Sequence, residues 1–123
     1  MHCVEGGTGI EITNGLAPEP SDLIIRAKRR YDAFPGTELD LVLRLHGIEN
    51  LVAVSVCTDV CVSFTIQHAR NLDYRRLVLR DATAGTSPER HGATLLCLEV
   101  AFARIETVDS ACKIVGGPEQ PES

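Results

Sequence analysis

Residues Leu51 to Val56 form an apolar stretch, Leu-Val-Ala-Val-Ser-Val, that runs almost directly into Thr58-Asp59-Val60-Cys61-Val62. Apolar positions that are continuous rather than alternating predict a strand covered on both faces, as in a parallel sheet. The segment reads as a buried strand ending in a sharp turn, with Cys61 on the first turn of the helix that follows. A thiol placed there lies among unpaired backbone N–H groups at the positive end of a helix dipole. That setting favours the thiolate, which is the nucleophilic form. The same amides can hold a developing oxyanion, so a strand–turn–helix nucleophile suits acyl transfer.

The flanking sequence repeats the strand–helix alternation. Gly6, Gly7 and Gly9 predict a loop, Ile10 to Leu16 a short helical turn, and Pro18 and Pro20 an extended connector. Leu23, Ile24 and Ile25 within Asp22 to Ala27 predict a short buried strand, with Lys28 emerging at its end. Thr37 is placed as an N-cap with Asp40 three residues on, a capping-box variant. Leu39, Val42, Leu43 and His46 recur at helical spacing, and Gly47 suits the C′ position. A helix over 59–72 should turn Val60, Phe64 and Ala69 inward, with Asp59 satisfying N-terminal amides and Thr58 and Thr65 bonding locally. Arg75 to Arg80 predicts a further strand. Ser87-Pro88 opens a helix reaching Ala103 whose inner face includes Leu95, Leu96 and Val100. Arg104 to Val108 predicts a fourth strand and Ser110 to Ile114 a terminal helix, and 116–123 lacks apolar residues to order it. Such alternation predicts an α/β fold of three layers, a mostly parallel sheet with helices on both faces. Residues 1–115 then form one domain and 116–123 a disordered tail.

At 123 residues the chain suffices for one domain. A net charge of −5 argues against nucleic acid as a partner, and the basic cluster Arg26, Lys28, Arg29, Arg30 reads as a solvated edge. No apolar run has the length of a membrane span. The opening MHCVEGG has neither a basic region nor an apolar core, so a cytoplasmic location is expected. Five irregularly spaced cysteines, Cys3, Cys57, Cys61, Cys97 and Cys112, read as free thiols. Cys57 and Cys61 without a second pair are weak evidence for zinc, and His2, His46 and His68 are scattered, so no metal site is expected.

Larger phrases carry a resemblance. Lys28-Arg29-Arg30-Tyr31-Asp32-Ala33-Phe34-Pro35-Gly36-Thr37-Glu38-Leu39-Asp40 is followed by Leu43-Arg44, Gly47-Ile48, Thr58-Asp59-Val60-Cys61-Val62, Ala69, Tyr74, Asp81-Ala82 and His91. In this order they resemble the isochorismatase-like cysteine hydrolases, and the likeness runs from about His2 to Val108. It implies that Cys61 is the nucleophile and Lys28 the lysine of a catalytic triad. It also implies a cis Val56–Cys57 bond, an oxyanion hole from the N–H groups of Cys57 and Cys61, and a substrate pocket walled by Phe34 and Thr58. Ser55 stands where the family usually has glycine, and His91 is expected beside the site rather than in it. The family's triad aspartate ends a strand ahead of the lysine, and no such strand precedes His2. The chain therefore reads as an N-terminally shortened domain with weak or absent turnover.

A cysteine at position 61 favours the amide-cleaving branch, acting on small C–N substrates such as nicotinamide, ureido acids or N-carbamoyl compounds through a covalent thioester. No cofactor is implied, and the resembled proteins are commonly homo-oligomers. Two other readings stay open: a non-catalytic remnant serving as an interaction or ligand-binding module, and isochorismatase-type ether hydrolysis.

Overall fold

A computed structural model describes residues 19–116. The elements are α1 (Leu39–Leu45), β1 (Asn50–Val56), a π-helical turn (Thr58–Val62), α2 (Ser63–Asn71), β2 (Arg75–Ala84), α3 (Pro88–Ala101), β3 (Arg104–Glu106) and α4 (Val108–Gly116). The strands form one parallel sheet in the order β1-β2-β3. Two successive crossovers in the same direction place α2 and α3 on one face, given the right-handed rule. There Val62, Ile66, Val78, Leu98 and Ala103 make the main core, with Ala53, Leu95, Phe102 and Ile105 packed against it. Alternation along β2 turns Leu79 to the opposite face, where α4 packs against the strand and buries Ala111. The result is the expected three-layer α/β arrangement.

Local signals act largely as their chemistry dictates. Ser87 caps α3, its hydroxyl accepting from the Arg90 N–H at 3.1 Å, with Pro88 at the first helical position. Gly47 adopts a positive φ of 66° beyond α1, the conformation a glycine takes without steric cost. Thr37 acts slightly differently from the expected cap. Its hydroxyl donates to the Ala33 and Phe34 carbonyls and accepts from the Leu39 N–H, so Glu38 becomes the cap residue, without a side-chain bond. Asp40 turns instead to Tyr74, whose hydroxyl donates to Asp40 Oδ1 at 2.5 Å, while Arg44 lies over the Tyr74 ring. A second cluster forms around Phe34, Ala69 and Tyr74, flanked by Leu39, Leu43, Leu51 and Leu72.

β2 extends to Ala84, beyond the expected Arg80, through an irregularity. Ala53 pairs with Val78 but Ser55 pairs with Thr83, so two steps along β1 match five along β2. The Thr83 hydroxyl donates to the Leu79 carbonyl at 2.8 Å across that bulge and satisfies a group the ladder leaves over.

Four expectations are corrected. No strand forms over Asp22 to Ala27. Leu23 and Ile24 are exposed, and among the described residues no neighbouring strand supplies ladder bonds, without which short apolar runs have no reason to stay extended in a sheet. β1 is covered on one face only: Leu51 and Ala53 are half-buried, whereas Val52, Val54 and Val56 are 48%, 52% and 63% exposed. In α2, Ile66 and Ala69 face the core and Phe64 is exposed. α3 ends at Ala101 and buries Leu98, while Leu96 and Val100 point outward; Leu95 is half-buried as expected. The fourth predicted strand shortens to Arg104–Glu106 because α4 begins earlier, at Val108, whose N–H donates to Asp81 Oδ1 at 2.8 Å. The glycine loop, the Ile10 to Leu16 turn and the 117–123 part of the tail lie outside the described residues. No helix among the described residues is long and apolar enough to cross a membrane.

Candidate active site

The carboxyl end of β1 delivers the chain into the turn that carries Cys61. The Val56–Cys57 peptide is cis, as the resemblance implied. Cys57 is extended, and its carbonyl accepts from the N–H groups of both Val60 and Val62, at 3.1 and 3.2 Å. This double acceptance widens the first turn to π geometry before α2 continues from Ser63. Cys61 and Cys57 are both half-buried free thiols, while Cys97 and Cys112 are exposed.

Thr58 lies beneath this turn, fully buried, with its hydroxyl 2.7 Å from His91 Nδ1. His91 Nε2 lies 3.1 Å from the Arg80 carbonyl. A carbonyl can only accept, so Nε2 carries the proton and, in the neutral ring, Nδ1 accepts from the Thr58 O–H. Asp59 does not cap the helix. Its carboxylate reaches across to the β2–α3 connection and accepts from the Thr86 N–H at 2.9 Å and the Thr86 hydroxyl at 2.5 Å. The Thr86 hydroxyl bond is the main reason its pKa falls below the ordinary aspartate value, and the Thr86 N–H adds to it. Gly85 sits between the two contacts: a Cβ there would come within 2.9 Å of His91 Cβ and 3.0 Å of Asp59 Oδ1.

The segment around Phe34 is fastened along α2, starting one turn beyond Cys61. The Ala33 N–H donates to Thr65 Oγ1 at 3.0 Å, so Thr65 makes a long-range rather than a local bond. His68 Nδ1 lies 2.6 Å from Asp32 Oδ2, and Tyr31 stacks on Phe64. Phe34 itself is buried against Ala69 and Tyr74, with its ring 5.0 Å from that of His68. Lys28 is exposed, and among the described residues its ammonium makes no ion pair and no hydrogen bond to Cys61. The structure thus brings Cys57, Thr58 and Cys61 together, sets Phe34 in the neighbouring core, and leaves Lys28 apart. No cluster of metal-ligating side chains occurs among the described residues.

The sequence reading missed the Asp59–Thr86 bonds, the close approach at Gly85 and the Asp32–His68 pair. The loop signal Ala84-Gly85-Thr86-Ser87 was there to be read, but only the fold shows that it meets the Cys61 turn.

A parallel α/β sheet presenting a half-buried thiol on the turn after its edge strand defines an architecture with solved counterparts. The Isochorismatase domain matches residues 1–110, and the chain belongs to that family. It is 37% identical over 110 residues to the ureidoacrylate amidohydrolase RutB of Stutzerimonas stutzeri, covering 89% of this chain and 44% of the relative. Among solved structures, an isochorismatase-like hydrolase from Alkaliphilus metalliredigens superposes with a TM-score of 0.86 at 34% identity, covering 93% of this chain and 63% of that one. The pyrazinamidase/nicotinamidase of Streptococcus mutans matches with a TM-score of 0.62 at 41% identity, over 64% of this chain and 44% of its own. The chain spans about half the length of the curated relatives it matches.

Proposed function

We propose that the protein is a cysteine-dependent amidohydrolase of small C–N substrates, with Cys61 as its nucleophile. The placement of Cys61 supports this reading: a half-buried thiol at the carboxyl end of β1, in a chain whose relatives are named ureidoacrylate amidohydrolase and nicotinamidase. The Cys61 thiolate adds to the carbonyl carbon, and the N–H groups of Cys57 and Cys61 hold the oxyanion. Collapse breaks the C–N bond, the departing nitrogen takes up a proton, and a thioester remains. Water then attacks the thioester, releasing the acid and restoring the thiol. Phe34 backs the pocket wall, and Thr58 supports the turn from below. Lys28 is assigned to hold the thiolate's charge, which requires its exposed segment to pack closer to Cys61 than it does here. The resemblance also places the enzyme in the cytoplasm as a homo-oligomer.

A second reading, a non-catalytic binding module, draws on the described residues: none offers Cys61 a carboxylate or ammonium in ion-pair or hydrogen-bond contact. Turnover is then weak or absent, since general-base assistance is commonly worth about 10²–10⁴-fold. Ammonia release from a panel of ureido acids, N-carbamoyl compounds and nicotinamide, with isochorismate as an ether control, decides between these readings. Release abolished by Cys61→Ala and untouched by Cys97→Ala supports the first. No release from any substrate, at protein concentrations that saturate detection, supports the second.

A further inference from the structure

The turn that carries Cys61 is joined to the β2–α3 connection at two points, and neither belongs to the proposed chemistry. Thr58, at its start, donates to His91 Nδ1, while the ring's other nitrogen donates to the Arg80 carbonyl. Asp59, the next residue, accepts twice from Thr86. Thr58 and Asp59 are adjacent, so their bonds leave the turn in different directions and fix both its position and its rotation. The two anchors converge on Gly85, where any side chain would meet His91 and Asp59 together. Both anchors lie far away in sequence: 33 residues separate Thr58 from His91, and 27 separate Asp59 from Thr86.

A π-helical turn of five residues is short and rare, and its backbone geometry is not self-sustaining. External bonds must hold it. We infer that His91, Asp59 and Thr86 are positioning residues that clasp the Cys61 turn to the β2–α3 connection across Gly85 and thereby set the direction of the Cys61 sulfur. The inference rests on the reading of Cys61 as the reactive thiol. Buried and charge-assisted hydrogen bonds of this kind resist exchange with water better than exposed neutral ones, which suits them to the task.

The test compares the intact chain with His91→Ala, His91→Asn, Asp59→Asn and Thr86→Val, each first checked for a cooperative thermal transition. Two readouts are taken. Amide hydrogen exchange over 58–62 reports the clasp itself, with the Leu95–Leu98 stretch of α3 as an internal reference. Alkylation by iodoacetamide, resolved by cysteine through mass spectrometry, reports the aim of the sulfur, with exposed Cys97 as reference. In His91→Ala, exchange over 58–62 should rise about tenfold while α3 is unchanged. The Cys61-to-Cys97 alkylation ratio should fall on the order of 10-fold or more, since misplacing a reacting atom by about 1 Å costs rates of that order. His91→Asn, whose side-chain oxygen can accept from Thr58 in place of Nδ1, should recover most of the ratio.

Should His91→Ala fail to fold, Thr86→Val, which removes only a hydroxyl donor, carries the same prediction at smaller size. Unchanged exchange in folded variants overturns the clasp, and faster exchange with an unchanged alkylation ratio overturns its positioning role. If Cys61 in the intact chain reacts no faster than Cys97, the nucleophile reading fails, while the exchange comparison still decides the clasp.

Discussion

Gly85 and Tyr74 show how single side chains set this structure. Gly85→Ala places a methyl group 2.9 Å from His91 Cβ, closer than carbon atoms tolerate, so one of the two anchors must move. A loss of about 1–3 kcal/mol in urea unfolding is expected, the range for an overpacked site; an unchanged midpoint would contradict the close approach. Tyr74 is buried, and its hydroxyl donates to Asp40. Burial is the main cause that pushes the Tyr74 pKa up, with the Asp40 bond second, while the same bond is the main cause that lowers Asp40. Tyr74→Phe keeps the packing against Phe34 and removes one bond, so a cost of about 1 kcal/mol is expected. Asp40 and Asp59 both have folded pKa values below their unfolded ones, so they bind fewer protons when folded. Their contribution to stability is present above the ordinary aspartate pKa near about 4 and is lost as pH falls through the folded values. Urea midpoints measured from neutral pH downward should therefore drop on acidification, and less steeply in Asp59→Asn.

At the level of elements, local chemistry decided what could be read from sequence. Ser87-Pro88 gave the start of α3, Gly47 the end of α1, and the apolar run 51–56 gave β1 almost to the residue. Each depends on neighbours in sequence. Which face of α3 turns inward does not, because apolar residues occur all round it: Leu95, Leu96, Leu98 and Val100 compete, and contact with Val62, Ile66 and Val78 selects Leu98. Leu98→Ala is accordingly expected to cost about 2–5 kcal/mol, and Val100→Ala, at a position 85% exposed, no more than about 0.5 kcal/mol. Equal effects would contradict the observed helix rotation. The Asp22 to Ala27 segment makes the complementary point. Its composition suits a strand, yet strand formation needs a partner, which no property of the segment itself supplies. Cys61 was legible from its place after β1 and from the surrounding phrases, whereas the anchors on Asp59 and Thr58 come from loop contacts that span 27 and 33 residues.

Across the whole molecule, the sheet is finished on one side and open on the other. β3 and α4 close one flank, while β1 leaves Val52, Val54 and Val56 in solvent beside the reactive turn. The chain covers about half the length of its curated relatives, and Lys28 lies apart from Cys61. These three observations concern the same region of the fold, the side of β1 where the nucleophile's partners would have to assemble. The family places the protein among hydrolases; what Cys61 does in this chain is a chemical question with a direct answer. Intact mass spectrometry after rapid mixing with a ureido acid or nicotinamide, followed by peptide mapping of the quenched protein, looks for the covalent species itself. The account predicts an added acyl mass on the peptide containing Cys61, absent in Cys61→Ala; an adduct confined to Cys57, Cys97 or Cys112, or ammonia release that persists without Cys61, would contradict it.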